Sequence, residues 1–231
     1  MTSQESFTCE QIAGMIDHSL LNPKLTTEEL DDGCRLAGRY GAASVCIMPY
    51  YVARCSELLA GSGVETGTTI GFPHGGHATD VKVAEAKAAI DDGASELDMV
   101  VNISQVLSSE WDCVRDDIAA VLAIARDAEA KLKVIFENCY LSDEQKVRLC
   151  EICGQLSVDW VKTSTGYGSS GATLDDVRLM RKHSPAHVQV KAAGGIRDLD
   201  TLLAFRSAGV TRIGATRTAG ILDECRDRLG A

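Results

Sequence analysis

Two lysines stand within stretches that otherwise have the composition of buried strands. Lys162 follows Trp160 and Val161 in DWVKTSTGYG, and Lys191 lies in VQVKAAGGI. A charge among apolar strand residues is costly unless it is paired. If both lysines share a partly buried site, their like charges and the burial favour loss of one proton. A neutral amine attacks carbonyl carbons, so the two lysines indicate Schiff-base chemistry.

A carboxylate occupies an equivalent place in ELDMVVN, where Asp98 lies among Leu, Met and Val. Near a reactive amine, such a carboxylate serves as a proton shuttle or counter-ion. Taken singly, a lysine at a strand end often extends to solvent, and an aspartate there often caps a loop. Three charges at matching ends of core strands favour a catalytic site over these structural alternatives.

The elements that would position these side chains recur along the whole chain. Short apolar, β-branched segments alternate with helical patterns, without hairpin signals. The predicted strands are Met15–His18, Ser44–Met48, Thr66–Phe72, Glu96–Asn102, Leu132–Glu137, Asp159–Thr163, His187–Ala192 and Thr211–Gly214.

Helix boundaries between these strands have local signals. Thr26 with Glu29, and Ser142 with Gln145, have the spacing of capping boxes. Further N-cap candidates are Thr173 and Asp198, and the glycines that would end helices just before strands are Gly41, Gly93 and Gly209.

Eight strand-helix units predict a parallel sheet that closes on itself, a single (β/α)8 TIM barrel formed by residues 1–231. The alternative is a doubly wound open sheet, for which we would expect a G-x-G-x-x-G turn after an early strand; the sequence has none. Barrel active sites lie at the C-terminal strand ends. If Val161 and Thr163 face the helices, Lys162 faces the barrel axis.

Glycines follow the last two predicted strands. Gly194 and Gly195 lie after strand seven in KAAGGI, and Gly214 marks the turn after strand eight in RIGATR. Exposed backbone N–H groups in such turns bind phosphate in many barrels. Glycines also serve tight turns, so the stronger indication is their occurrence on two adjacent strands.

The composition argues against nucleic acid and membrane as partners. The net charge is −10, and the sequence contains no Lys/Arg cluster of the kind that binds the phosphate backbone of a nucleic acid. The longest apolar run, Ala119–Ala125, is too short to span a bilayer. The N-terminal MTSQESFTCE lacks the basic and apolar regions of a secretory signal.

Cysteines and histidines give weaker indications. Nine scattered cysteines predict reduced thiols in the cytoplasm. Cys150 and Cys153 are interpreted as helix neighbours, with redox or zinc roles as a distant alternative. The H-x-x-H of His74 and His77 is weak evidence of zinc, and we expect no metal and no cofactor.

These motifs together resemble the deoxyribose-phosphate aldolase family over nearly the whole chain. The resemblance is carried by IDHSLLNP, VCIMP, IGFPHGG, ELDMVVNIS, LKVIFENCYL, DWVKTSTGYG, VKAAGGIRDLDT and TRIGATR. It implies a (β/α)8 barrel that cleaves 2-deoxy-D-ribose 5-phosphate reversibly to acetaldehyde and D-glyceraldehyde 3-phosphate, without metal, in deoxyribose breakdown.

The resemblance also assigns roles by motif. Lys162 matches the Schiff-base lysine, Lys191 the second lysine that tunes it, and Asp98 the residue that transfers protons. Asp17 in IDHSLL resembles a supporting carboxylate near the donor pocket. Thr165, in the same turn as Lys162, resembles a contact to a substrate hydroxyl.

For the phosphate, we expect backbone N–H groups of Gly194, Gly195 and Gly214, with a hydroxyl from Thr216. A Ser-rich family turn reads Thr216-Arg217 here. Arg217 either forks onto the phosphate or points to solvent, and the sequence leaves both open. The chain also departs from the family's FPLGA turn, which reads FPHGG here.

Two other functions remain as alternatives. One is a related Schiff-base lyase or transaldolase that acts on another phosphosugar. The other is a phosphometabolite-binding barrel or an isomerase, whose lysines only pair with an anionic substrate. Two lysines beside one Asp leave no strong base for enolisation, which disfavours the latter. The expected partner is a small phosphosugar; the sequence does not fix the oligomeric state, and a homodimer is one option.

Overall fold

The protein folds into a closed barrel of eight parallel strands, described by a computed structural model for residues 7–230. Each strand pairs with the next along the chain, and β8 pairs with β1. The strands are β1 (Ile16–Leu20), β2 (Ser44–Ile47), β3 (Glu65–Ile70), β4 (Glu96–Val100), β5 (Lys131–Ile135), β6 (Trp160–Lys162), β7 (Gln189–Ala193) and β8 (Arg212–Ala215). The predicted TIM barrel is confirmed, and the open sheet is excluded.

Helices connect the strands and surround the barrel. They are α1 (Cys9–Ala13), α2 (Thr27–Tyr40), α3 (Val52–Leu59), α4 (Thr79–Asp91), α5 (Ile103–Leu107), α6 (Trp111–Asp127), α7 (Asp143–Leu156), α8 (Leu174–His183), α9 (Leu199–Ser207) and α10 (Thr218–Leu229). Cys150 and Cys153 lie on α7 as predicted, and both are buried.

The helix boundaries follow the local signals of the sequence. The capping boxes at Thr26 and Ser142 form, and the Thr173 and Asp198 side chains accept from backbone N–H groups in the first turns of α8 and α9. Gly41 ends α2 in the left-handed region, with φ of 64°. The predicted signals therefore mark the starts of α2, α7, α8 and α9 and the end of α2.

Every predicted strand is present, with small shifts at the ends. One informative shift concerns β5, which was predicted to run to Glu137 and ends at Ile135. Glu137 has φ of 57°, a left-handed conformation that a strand cannot continue, and Asn138–Tyr140 then form one 3₁₀ turn. β5 thus ends abruptly beside the site.

The core lies between the barrel and the helices. Val161 and Val190 are fully buried there, against helix residues such as Val177. Because side chains alternate along a strand, the residues next to these valines face the barrel axis. This packing directs Lys162 and Lys191 inward.

Two remaining observations concern the ends of the chain and its helices. Residues 1–6 and 231 lie outside the described residues. The predicted domain 1–231 includes both segments, and the N-terminal stretch that we compared with a secretory signal includes residues 1–6. Within residues 7–230, none of the helices combines the length and the apolar character needed to cross a membrane.

Candidate active site

A cavity of about 490 Å³ opens at the C-terminal ends of the strands. Its lining includes Asp17, Cys46, Lys162 and Lys191. Further lining residues come from the loops after β1, β6, β7 and β8, among them Leu21, Asn22, Thr165, Tyr167, Gly194, Gly195, Arg197, Gly214 and Thr216. Both predicted lysines and the predicted phosphate loops therefore border the same cavity. Asp98 is fully buried and is not part of this lining.

Strand register brings the lysines and carboxylates together. Lys162 on β6 pairs with Lys191 on β7. Asp98 on β4 pairs with Lys133 on β5, and Asp17 on β1 pairs with Gly214 on β8. Neighbouring strands lie about 4.8 Å apart, so long side chains that start from these positions meet near the axis.

Asp98 links three lysines. Its Oδ2 atom lies 2.7 Å from the Nζ of Lys162 and 2.7 Å from the Nζ of Lys191. Its Oδ1 atom accepts from Lys133 at 2.8 Å. The carboxylate is fully buried, and these three partners compensate its desolvation.

Asp17 also lies within this network. Its Oδ2 accepts from Lys191, and its Oδ1 accepts from Arg212 at 2.6 Å and from the Ser44 hydroxyl at 2.7 Å. Lys133 lies 3.4 Å away. Asp17 therefore contacts Lys191 through one oxygen and Arg212 through the other, and its supporting role stays a prediction.

Below this layer, Glu96 binds two cations. Its Oε2 accepts from Lys133 at 2.6 Å, and its two oxygens accept from Arg212 at 3.0 and 3.1 Å. The Arg212 guanidinium also lies 4.8 Å from the centre of the Trp160 ring. These contacts fix the positions of Lys133 and Arg212. Both cations in turn bind the carboxylates that contact Lys162 and Lys191.

The buried cluster contains one more basic group than acidic groups. Three carboxylates, of Asp17, Glu96 and Asp98, face four cations, of Lys133, Lys162, Lys191 and Arg212. The cluster is neutral when one of the amines has lost its proton. In a low-dielectric interior an uncompensated charge is expensive, so one neutral amine is favoured.

The pKa directions differ between the three lysines and indicate which amine loses its proton most readily. Burial, with the nearby positive charge of Lys191, lowers the pKa of Lys162 even though Asp98 acts to raise it. For Lys191 burial is outweighed by Asp17 and Asp98, and its pKa is raised. For Lys133 burial is outweighed in the same way, and its pKa lies well above the usual value. Lys162 is therefore the amine that can act as a nucleophile toward a carbonyl.

The carboxylates are held in their ionised form. Burial favours protonation of Asp98, but Lys133, Lys162 and Lys191 outweigh it and hold the pKa well below the usual range. The same opposition lowers the pKa of Asp17, through Lys133, Lys191 and Arg212. Asp98 can therefore accept a proton, and it carries none at rest near neutral pH.

The loops after β7 and β8 also line the cavity. Gly194 and Gly195 have φ of 89° and 86°, a region that favours glycine. Gly214 lies within β8, one residue before its end, and not in the following turn where we placed it. A side chain there would meet Ala193 at 3.0 Å, so Gly214 also leaves room for the neighbouring strand. Thr216 lines the cavity as expected.

Two arginines lie in these loops. Arg197, which follows the glycines of β7, lines the cavity. Arg217 occupies the N-cap position of α10, and its guanidinium lies beside Gly220 in the first turn of that helix. Arg217 does not contribute to the cavity lining described above, and its contact to a phosphate stays a prediction.

Thr165 lies in the loop after β6 and lines the cavity. Its hydroxyl and its backbone N–H both donate to the Glu137 carboxylate. The next residue but one, Tyr167, donates its hydroxyl to the Leu21 backbone oxygen at 2.6 Å and so connects the loops after β6 and β1. This side of the cavity is thus closed by hydrogen bonds between loops.

Sequence reasoning missed several of these residues. Lys133 and Glu96 carry the same signal as Lys162, a charge within an apolar strand (KLKVI and ELDMV), and could have been found by it. Arg212 lies at the start of β8, where a charge is unremarkable in sequence. Arg197 and Glu137 lie in the loops after β7 and β5, and only the folded loops reveal their positions.

His74 and His77 are exposed in the loop after β3. Among residues 7–230, no three His, Cys, Asp or Glu side chains come together as ligands for a metal ion. The cavity floor is instead formed by lysines and carboxylates.

Comparisons with known proteins agree with this geometry. A family model described as DeoC/LacD family aldolase matches residues 12–222. The deoxyribose-phosphate aldolase of Rhodopirellula baltica is 63% identical over 219 residues, which cover 95% of this chain and 91% of that relative. The deoxyribose-phosphate aldolase of Caldanaerobacter subterraneus subsp. tengcongensis is 46% identical over 92% of this chain and 93% of its own length.

A solved structure gives the same result. The deoxyribose phosphate aldolase from Aeropyrum pernix, described as having a unique tetrameric structure, superposes with a TM-score of 0.88. It is 30% identical, and the match covers 96% of this chain and 93% of that chain. Fold and sequence therefore point to the same family.

Proposed function

Because the chain belongs to the DeoC/LacD family of aldolases, we propose that it cleaves 2-deoxy-D-ribose 5-phosphate reversibly to acetaldehyde and D-glyceraldehyde 3-phosphate through a Schiff base on Lys162. The chain is an aldolase and therefore a lyase. The observation that carries the proposed mechanism is the charge cluster, in which Lys162 combines a lowered pKa with a place on the cavity wall.

The first steps use the neutral amine. Lys162 attacks the C1 aldehyde of the open-chain sugar, and loss of water gives an iminium ion. The C3 hydroxyl then loses its proton, the C2–C3 bond breaks, and its electron pair moves toward the iminium nitrogen. This step releases D-glyceraldehyde 3-phosphate and leaves an enamine on Lys162. Protonation of the enamine carbon and hydrolysis release acetaldehyde and restore the amine.

The ionised Asp98 suits the proton transfers of this sequence. It contacts both Lys162 and Lys191, so it can accept a proton at one step and return it at another. Lys191, held between Asp17 and Asp98, keeps a positive charge beside Lys162. In this proposal Lys191 tunes the nucleophile, and Asp17 positions Lys191.

The phosphate is proposed to bind at the glycine end of the cavity. Backbone N–H groups of Gly194 and Gly195 and the Thr216 hydroxyl suit an anion, and Arg197 adds a positive charge. Gly214 and Arg217 remain candidates from the sequence.

The proposed biological setting is breakdown of deoxyribose in the cytoplasm. The relatives named above are deoxyribose-phosphate aldolases, which supports this substrate over another phosphosugar. The Aeropyrum pernix protein is described as tetrameric, whereas the assembly of this chain, for which we considered a homodimer, stays a prediction.

The substrate is tested by turnover. Purified protein should consume 2-deoxy-D-ribose 5-phosphate and release acetaldehyde and D-glyceraldehyde 3-phosphate in equal amounts, each measured by a coupled dehydrogenase assay. D-ribose 5-phosphate is the matched control, because it differs only by the 2-hydroxyl. Equal turnover of the two sugars, or no turnover of either, would contradict the proposed substrate.

A further inference from the structure

Glu137 is a buried carboxylate at the end of β5 that the mechanism above does not use. Its side chain is 2% exposed, and its backbone is in the left-handed region, with φ of 57° and ψ of 63°. This conformation is uncommon for residues other than glycine, and strain of this kind persists where the surrounding structure requires it. Both the strained backbone of Glu137 and the burial of its carboxylate therefore raise the free energy of the folded state.

The partners of this carboxylate are neutral groups. The Thr165 backbone N–H donates to both oxygens, at 3.2 and 3.3 Å, and the Thr165 hydroxyl donates to Oε2. Within residues 7–230, no Lys, Arg or His nitrogen lies within 4.0 Å of it. Gly168 packs so closely that a side chain there would lie 3.0 Å from the Glu137 carboxyl carbon. The loop after β6 is thus built around this carboxylate.

The contacts of the Thr165 hydroxyl leave one lone pair of its oxygen free for a ligand. The Thr165 hydroxyl donates to Oε2 of Glu137, so its one proton is directed to that oxygen. One of the two oxygen lone pairs accepts the Tyr167 backbone N–H at 3.0 Å. One lone pair remains, and Thr165 lines the cavity. Toward a ligand, Thr165 can therefore act as a hydrogen-bond acceptor and not as a donor.

We propose that Glu137 is a positioning residue that fixes the Thr165 hydroxyl as an acceptor, so that the site selects substrates with a hydroxyl donor beside the reacting carbonyl. This inference rests on the proposed aldol reaction. In the synthetic direction the acceptor D-glyceraldehyde 3-phosphate has one hydroxyl, next to its aldehyde carbon. That hydroxyl is the donor that the free lone pair of Thr165 would recognise.

The test compares two acceptor aldehydes in the synthetic direction, with acetaldehyde as donor. One is D-glyceraldehyde 3-phosphate, and the other is 3-oxopropyl phosphate, which lacks the hydroxyl. We expect the parent to prefer the hydroxylated acceptor in kcat/KM by roughly three- to tenfold, the worth of one hydrogen bond. Glu137→Gln should abolish most of this preference, because an NH₂ donor replaces one of the two oxygens that accept from Thr165 and so disturbs the fixed direction of the Thr165 hydroxyl.

Two Thr165 variants serve as matched controls. Thr165→Val should lose the same preference, and Thr165→Ser should keep it. Combining Glu137→Gln with Thr165→Val should cause no further loss, because both changes remove one interaction. Glu137→Asn is the second variant if Glu137→Gln does not fold, since Asn adopts left-handed backbone readily and is too short to reach Thr165.

The outcomes separate three cases. A Glu137 variant that folds and keeps the preference overturns the inference, and so does equal loss on both acceptors, which shows a purely structural role. Failure of the proposed function is seen separately, because the parent would then form no borohydride-stable adduct with acetaldehyde at Lys162. Loss of the preference with the adduct retained supports the inference.

Discussion

The Nζ atoms of Lys162 and Lys191, which start from paired positions on neighbouring strands, both lie 2.7 Å from one oxygen of Asp98. The two amines share a counter-ion but differ in pKa direction, because Lys191 has a second carboxylate, Asp17, and Lys162 does not. This asymmetry supports the proposal that Lys162 is the nucleophile and Lys191 a fixed charge.

Replacing Lys191 should shift the pH dependence of the reaction. With Leu at this position, three carboxylates face three cations, and the cluster is balanced only when Lys162 is protonated. The pKa of Lys162 then rises, so the acid limb of the kcat/KM profile moves to higher pH and activity at neutral pH falls steeply. A profile that keeps its position would show that Lys191 acts in another way.

The control for this variant is a buried lysine outside the site. Lys82 is fully buried and bonds to Asp117 at 2.6 Å. Lys82→Met should lower stability and leave the position of the acid limb unchanged. If both variants moved the limb equally, general loss of stability and not the missing charge would be the cause.

Asp98→Asn should impair turnover strongly in the folded protein. The amide keeps the size of the carboxylate but cannot accept and return a proton, so we expect kcat to fall by about 10²-fold or more. Loss of the negative charge also lowers the pKa of Lys162 further, so the acid limb should move to lower pH. Near-normal turnover would remove Asp98 from the proton path.

Lys133→Met tests the base of the cluster. The change removes a partner from Glu96 and Asp98, and an unpaired buried charge is strongly destabilising. We expect the free energy of unfolding, measured by urea titration, to fall by about 3–5 kcal/mol. A loss below about 1 kcal/mol would show that Arg212 and the upper lysines suffice to hold the carboxylates.

Arg197→Ala and Arg217→Ala separate the two candidates for phosphate binding. If Arg197 binds the phosphate, its removal should weaken use of 2-deoxy-D-ribose 5-phosphate by about 1.5–3 kcal/mol and leave use of unphosphorylated deoxyribose unchanged. Arg217→Ala should show little effect if its guanidinium stays beside Gly220. The reverse result would assign the phosphate to Arg217, and equal losses on both sugars would indicate a structural role.

The sequence predicted the strands and helix starts well because their signals are local. A β-branched run, or a Thr with a Glu three residues later, is visible within a few residues, and the capping box at Thr26 formed as expected. The end of β5 was misplaced because the left-handed backbone of Glu137 depends on contacts with a distant loop.

Lys162 and Lys191 were recognisable as site candidates for the same reason, since a charge inside an apolar strand is locally anomalous. Their pKa order was not, because it depends on which carboxylates the register brings to each amine. The sequence predicted that the like charge of Lys191 and burial would together lower the pKa of Lys162. In the structure burial is the larger of the two causes, and Lys133 and Arg212 join the cluster. Partners that are far apart in sequence are visible only in the folded barrel.

The central claim is that Lys162 forms the covalent intermediate. The protein is incubated with acetaldehyde and borohydride, and the modified peptide is identified by mass spectrometry. The account predicts one ethyl group, an increase of about 28 Da from the masses of two carbons and four hydrogens, on Lys162 and loss of labelling in Lys162→Leu. Modification centred on Lys191, or no modification at all, would contradict it.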